Sequence, residues 1–491
     1  MKEKIRLAIT TAAFLLSAVG HAQQLTLNDV IRIAQENSFD AQVAKLSFMS
    51  SYWTYRSFKA DLKPSVNLSA NLLGFDHSLV GVRNYETGQQ AYVDENSMTN
   101  SVTLSLDQKI VETGGVVSLK SYLYHLRQFD YNLNTINTQP LEVSYSQPLF
   151  AYNASKWEKK TAPLEFEIAQ KTYTAAMQDV AMTATALFFN VLSAQSEYRQ
   201  SVTTVEDREQ LLEMAQRRLE LGTTTRSEML QMELSLVNAR VAQTSNKLTL
   251  DNALYRLFSY LRLVNYEDAV LLSPRNVPEL LLVPDDVVQK ALQNSSHNGE
   301  MKLQELNAEM SLARAKSARG LQMTLTGDVG FRQSASDFRG AYSHLQDNEV
   351  VGVTLSMPIF DWGMSKGRVK MAQAELDVIK TKNEQAHLDY VQDLKRDVAD
   401  FNTLPLQCRN AARAEEIAGE RYEITKKRFE TGTISVTDLN TAQQELESAK
   451  SQYISQLFKF WSKYYALQKT TLYDWRNGRE IIVDYEKLSK K

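Results

Sequence analysis

Two carboxylates recur at matched positions in this 491-residue chain. Glu228 follows Gly222 by six residues, and Asp438 follows Gly432 by the same six. They sit in "RLELGTTTRSEML" (218–230) and "RFETGTISVTDLN" (428–440), each flanked by long runs of helix-forming residues. Six residues is about one and a half helical turns, so two carboxylates stand at similar depth beyond two helix breaks. Such a pair can attract cations. The same residue type is also favoured in the first turn of any helix, where it complements the backbone dipole. Glycine ends a helix cheaply because it accepts positive φ, and Thr225 or Ser227, with Ser435 or Thr437, can cap the helix that follows.

Little else could do chemistry. There is no Gly-rich phosphate loop, no G-x-S-x-G and no H-E-x-x-H. The six histidines are scattered without metal-ligand spacing, and the 14 methionines are dispersed, which gives a copper relay little support. The single cysteine, Cys408, falls on a helical seam and reads as a small buried apolar residue. One cysteine forms no internal disulfide. Net charge is −3, so nucleic acid is not an expected partner. No enzyme, cofactor or metal is expected, and energy for any transport must come from a partner.

The elements that position the carboxylates are written twice. "DVIRIAQENS" (29–38) returns as "DVVQKALQNS" (286–295) at an offset of 257, and "SQPLF" (146–150) returns as "SMPIF" (356–360) at 210. Gly222 and Gly432, Leu236 and Leu446, and Ala239 and Ala449 keep the second offset. The first half therefore carries about 47 extra residues before "SQPLF". Ahead of both halves, Lys2, Lys4 and Arg6, an apolar run from Leu7 to Val19 and Gly20-His21-Ala22 predict a signal peptide over 1–22. Gln23 at the cut, where lipidation needs cysteine, predicts an exported chain without an N-terminal lipid. The two repeats then run over 23–275 and 276–491.

Each repeat has the same order: a helix (26–60; 284–318), strands (about 64–148; 321–358), and a long helical hairpin (154–262, tip 221–225; 364–473, tip 431–435). In "SVNLSANL" (65–72) Val66, Leu68, Ala70 and Leu72 alternate with small polar residues, and "QMTLTGDV" (322–329) matches it. One face is apolar and one wet. That pattern fits a solvent-facing sheet or a membrane barrel with a watery lumen. Too few strands for a sandwich, amid so much helix, favour the barrel. Gly114-Gly115 marks a hairpin turn in 109–126 whose place, in the sheet or against it, the sequence leaves open.

From Ala154 to Leu221 the chain could form about 100 Å of helix. Tyr173, Met177, Val180, Ala184, Leu187, Val191, Ala194 and Tyr198 step by fours and threes, a heptad seam. Pro405 predicts a kink or interruption in the matching helix of the second repeat.

These tandem halves, the "LTLNDVIRIAQENS" helix, the alternating strands before "QPLF" and "MPIF", and the two glycine tips resemble the TolC-type outer-membrane efflux protein family over essentially the whole mature chain. The resemblance implies a mainly α fold with a membrane β-barrel: a homotrimer sharing one barrel in the outer membrane and one coiled-coil tunnel across the periplasm. It implies a passive exit duct of a tripartite efflux or type I secretion system, for small molecules or proteins. The partners would be a periplasmic adaptor, an inner-membrane pump of RND, ABC or MFS type, and outer-membrane lipid. By the same resemblance Glu228 and Asp438 belong to a closed pore gate. Leu221, Gly222, Thr223 and Thr224, with Thr431, Gly432, Thr433 and Ile434, would meet the adaptor. The chain departs from the family where an arginine follows the second tip glycine by two residues, since Ile434 stands there, and Thr441 replaces a second acid. Arg226 or Arg428 could take the arginine's place at the gate. The alternative from another class is a surface structural or adhesive coiled-coil protein with no channel.

Overall fold

The computed structural model describes residues 24–83, 88–264, 269–431 and 433–489, so the predicted leader and Gly432 lie outside the described residues. The chain divides into two compact units. One holds the residues up to Met49, Gln170–Ser296 and Leu388 onward, and the other holds Ser50–Ala169 and His297–His387.

Eight helices carry the repeat: α1 (Leu27–Asn37), α2 (Phe39–Asp61), α3 (Ala154–Glu220), α4 (Arg226–Leu261), α5 (Pro284–Asn294), α6 (His297–Arg319), α7 (Met364–Glu430) and α8 (Val436–Thr471). The single opening helix expected in each half is in fact two. α1 stops at Ser38 and α5 at Ser295, both in extended backbone. Ser38 donates its N–H to the Ala34 carbonyl at 2.9 Å, and its Oγ accepts from the Ala41 N–H at 3.1 Å. One buried serine therefore closes one helix and caps the next. Periodicity alone did not expose this break, because the apolar pattern runs on through it.

α3 and α7 are each 67 residues long and unbroken. Pro405 lies inside α7, so of the kink or interruption expected there the interruption does not occur. Proline removes one helical hydrogen bond and crowds the preceding turn. Here its neighbours Phe401, Leu404 and Cys408 are all buried in the core, and their packing holds the helix together across the lost bond.

The α3 seam is where the sequence puts it. Val180, Ala184, Val191 and Ala194 are buried, with Met177, Leu187 and Tyr198 packed at the margin. They share one core with Leu257 and Phe258 of α4, Val398 and Phe401 of α7, and Leu457 and Phe460 of α8. Cys408 joins this core at 3% exposure, and burial pushes its thiol up to about 11. It is a packing residue, as its seam position implied.

The second unit is built on one six-stranded sheet: β1 (Ser65–Arg83), β2 (Gln90–Ile110), β3 (Gly115–Gln128), β4 (Leu133–Leu149), β5 (Gln322–Ala335) and β6 (Gln346–Ser356), hydrogen-bonded in that order. Every neighbouring pair is antiparallel. The hairpin around Gly114-Gly115 therefore lies in the sheet as β2–β3, with Gly114 at φ +76° in the turn. Register shifts between Asn71 and Gly74, Lys120 and Tyr122, and Thr138 and Leu141 interrupt the ladder, and alternation holds on the Ser65 side of them. Val66, Leu68, Leu104 and Leu106 share one face and are exposed, Leu68 at 71%. On the opposite face Asp107 accepts from Ser118, Ser105 and Asn67 at 2.5, 2.8 and 3.2 Å, a self-satisfied polar surface.

Phe401 and Phe460 are fully buried with ring centroids 5.3 Å apart. Phe460→Ala should cost about 3–5 kcal/mol. It is expected to lower the melting temperature of the helical circular-dichroism signal in detergent, while Phe360→Ala, at an exposed site, should leave it unchanged.

Candidate functional site at the helical tips

The first tip is built by a helix stop at Glu220 and a helix start at Arg226, with five residues between them. At the end of α3 the Thr223 N–H reaches back to the Arg218 carbonyl at 2.9 Å and the Gly222 N–H to the Leu219 carbonyl at 3.0 Å. This double bond pattern needs a left-handed residue between, and Gly222 supplies it at φ +72°. Nothing lies within 4 Å of where a Cβ on Gly222 would project, so backbone conformation alone demands glycine there. At the second tip Thr433 makes the same return bond to Arg428, at 3.0 Å. Both threonines also donate their hydroxyls to those carbonyls, at 3.0 and 2.9 Å.

The two carboxylates then start the next helices. Thr225 caps α4: its Oγ accepts from the Glu228 N–H at 3.2 Å, and the Glu228 carboxylate accepts from the Thr225 N–H at 3.2 Å and from the Thr224 hydroxyl. Ser435 caps α8 in the same reciprocal way with Asp438, at 3.2 and 3.1 Å, and its hydroxyl adds a bond of 2.7 Å. Of the candidate caps, Thr225 and Ser435 are used. Hydrogen bonds from Thr224 and Thr225 hold the Glu228 carboxyl below its ordinary value, and those from Ser435, helped by the charge on Arg428, do the same for Asp438. Both acids remain solvent-exposed, so capping and a charged mouth are compatible roles.

Among the other candidate residues, Leu221 is 77% exposed, and Thr223, Thr431 and Thr433 are exposed as well. Ile434 differs. It is half-buried and packs, with Val436, on a cluster of Leu211, Met232, Tyr422, Phe429, Leu439, Ala442 and Leu446 that joins the two hairpins. The Arg218 guanidinium donates to the Glu430 carbonyl at 3.1 Å, tying the first tip to the second.

Sequence reasoning missed a polar joint deeper between the hairpins. Asp207 of α3 accepts from the Tyr422 hydroxyl and the Lys426 ammonium of α7, both at 2.5 Å. Next to it Arg208 donates to Asn440 and Gln443 of α8, each at 2.6 Å. Asp207 and Arg208 are 8% and 6% exposed. Burial, then the bond to Asp207, pushes the Tyr422 phenol well above its usual value, and burial lowers that of Arg208. At offset 210 the second repeat has Ile417 and Ala418 in their places. That asymmetry between otherwise matched helices was the available signal.

Comparison with known proteins follows the same lines. The family model described as "Outer membrane efflux protein" matches residues 130–261 and 287–457. "Outer membrane protein TolC" of Escherichia coli is 23% identical over 348 residues, 65% of this chain and 68% of the relative. "Protein CyaE" of Bordetella pertussis is 21% identical over 328 residues, 65% and 67% of the two chains. Among solved structures, the CmeC outer membrane channel of Campylobacter jejuni has a TM-score of 0.66 at 17% identity, covering 94% of this chain and 88% of that one. The outer membrane protein VceC of Vibrio cholerae has a TM-score of 0.63 at 13% identity, covering 91% and 95%. These structures share the fold.

Two outcomes follow from the tips. Because both carboxyls sit below their ordinary values in the folded chain, the caps are complete above an ordinary carboxylate pKa of about 4 and are lost as pH falls through the lowered folded values. Amide exchange at 226–229 and 436–439 should therefore show the same protection at about pH 7 and 5, losing it only below about 4. At the joint, Asp207→Ala strands a buried phenol and a lysine and should cost about 1–3 kcal/mol. Tyr422→Phe, which leaves the Lys426 pair intact, should cost about 1, and comparison of their thermal melts reads the difference.

Proposed function

The chain belongs to the outer membrane efflux protein family, and from that premise we propose that three copies assemble into one passive exit duct fed by an inner-membrane pump through a periplasmic adaptor. An outer-membrane location with a periplasmic extension, and a channel in place of an enzyme, come with the family. The trimer, the adaptor, the pump and the cargo are the proposal.

One observation carries it. Along α4, Leu230, Leu234, Val237, Val241, Leu248 and Tyr255 are all exposed, at 49–65%. Their spacing is heptad, and a heptad stripe is a seam seeking another helix. Within its own chain α4 already buries Met232, Leu236, Ala239 and Leu250, so the second stripe suits a neighbouring copy. The exposed apolar face of the sheet suits lipid in the same assembly. A surface adhesin built only of coiled coil would explain the stripe and leave that face unexplained.

In the assembled duct Glu228 and Asp438, repeated three times, place six carboxylates at the periplasmic mouth. The caps that hold them fix their depth. Leu221 and the tip threonines offer the adaptor an exposed surface, whereas Ile434 contributes by packing the tip from within. Cargo is set by the pump, with drugs and other small toxic compounds, through an RND, ABC or MFS pump, as the first reading and a secreted protein as the second.

The mature protein extracted from outer membranes should run as a trimer. Leu234→Asp with Val241→Asp should yield monomers, and a wild-type chain recovered as a soluble periplasmic monomer would end the proposal. Glu228→Ala with Asp438→Ala should lower cation preference and change resting conductance in planar bilayers. If both stay at wild-type values, the mouth charge resides elsewhere. Gly222→Val meets no neighbour and is opposed only by its φ, so the trimer should form while drug tolerance falls; unchanged tolerance at equal expression would remove the tip from the docking site.

A further inference from the structure

We propose that the barrel wall of the assembled channel contains eighteen strands, six from each of three copies, and that the β2–β3 hairpin widens the outer-membrane pore beyond what the repeat alone would build. The inference rests on the trimer proposed above.

The repeat itself shows what was added. β5 corresponds to β1 at offset 257, and the end of β6 corresponds to the end of β4 at offset 210. In the second half these strands pair directly, Leu325 opposite Val353. Their counterparts in the first half, Leu68 and Val143, are not neighbours. Leu68 faces Leu104 of β2, and Val143 faces Leu119 of β3. The extra residues therefore open a strand pair and insert two strands within it. The inserted strands continue the wall's alternation, with Leu104, Leu106, Val117 and Leu119 exposed on the apolar face. A plug or a cover lying against the sheet would have no reason to keep that register.

The sheet is cut for closure. One perpendicular row runs Ser65, Asp107, Ser118, Ser144, Asp328, Val350. β1 begins at Ser65, the first residue of that row, whereas β6 runs six residues beyond Val350 to Ser356. With the strand ends level between copies, six residues, about 20 Å, are gained over the six strand spacings of about 4.8 Å that each copy contributes, a slant of about 35°. That equals the strand tilt a closed barrel requires, about 35–45°. With an even number of strands β1 and β6 run in opposite senses, so β6 of one copy meets β1 of the next antiparallel. Levelling the strand ends brings Leu68 opposite Val353 of the neighbouring copy, apolar against apolar.

Eighteen strands at this tilt enclose a wall about 34 Å across between opposite backbones, against about 23 Å for twelve. A lumen of that width lets pass whatever the helical part admits, so the barrel is not the sieve.

Electron cryomicroscopy of the wild-type protein in lipid nanodiscs should count eighteen strands around a threefold axis. A trimer whose wall has twelve strands, with β2–β3 lifted away, overturns this inference and leaves the trimer standing; a non-trimeric particle overturns both. Disulfide trapping in a Cys408→Ser background gives a second readout. Leu68→Cys with Leu104→Cys, and Leu119→Cys with Val143→Cys, should cross-link within a chain, and Leu68→Cys with Val353→Cys should give covalent trimers. Ready cross-linking of Leu68→Cys with Val143→Cys would mean that β1 and β4 touch and that the inserted hairpin is outside the wall.

Discussion

A strand edge cannot be left open in hydrocarbon, because no water is there to bond its unpaired N–H and C=O groups. That constraint organises this chain. Its sheet is hydrogen-bonded internally from β1 to β6 and open at both ends, while one face carries exposed apolar side chains on all six strands, among them Val66, Leu106, Leu119, Val143, Val329 and Val353. A wall with those properties is incomplete as a single copy. The exposed heptad stripe on α4 expresses the same incompleteness in helical terms, since its side chains have the spacing of a seam and no helix among the described residues covers them.

Where the structure turns from helix to helix, the solution is local. Both tips turn local groups on their own backbone: threonine hydroxyls for the last carbonyls, helped at the first tip by the left-handed Gly222, and a reciprocal cap for the first N–H groups. The carboxylates most attractive as gate residues are thereby fixed in place by ordinary helix chemistry. An exposed charge placed at a capping position needs no additional support.

Much of this was legible in the sequence for a physical reason. Heptad spacing is a statement about one helix face, so the seam from Tyr173 to Tyr198 could be read without any partner. Glycine followed by Thr or Ser and then an acid is equally local. Longer-range facts were not available. Membership of β2–β3 in the sheet depends on pairing across strands, and alternation is the same inside a wall as beside one. The joint of Asp207 with Tyr422 links residues more than 200 positions apart, and in a single helix Asp207 and Arg208 look like two more solvated charges. At Pro405 the helix is not interrupted, because the local cost is offset by burial that only the packed helices reveal.

The two repeats have diverged unequally, and the place of divergence is instructive. Their helical hairpins still match residue for residue across the tips, whereas the sheet has taken in a whole hairpin in one repeat and none in the other. A strand touches only its two flanking strands, so a new pair can enter a wall and merely push the older members apart. A long helix in a heptad seam has no such freedom: an insertion not matched to the turn rotates every side chain beyond it out of register. Between the two repeats of this chain, change in length is thus confined to the sheet, while the paired long helices keep identical lengths.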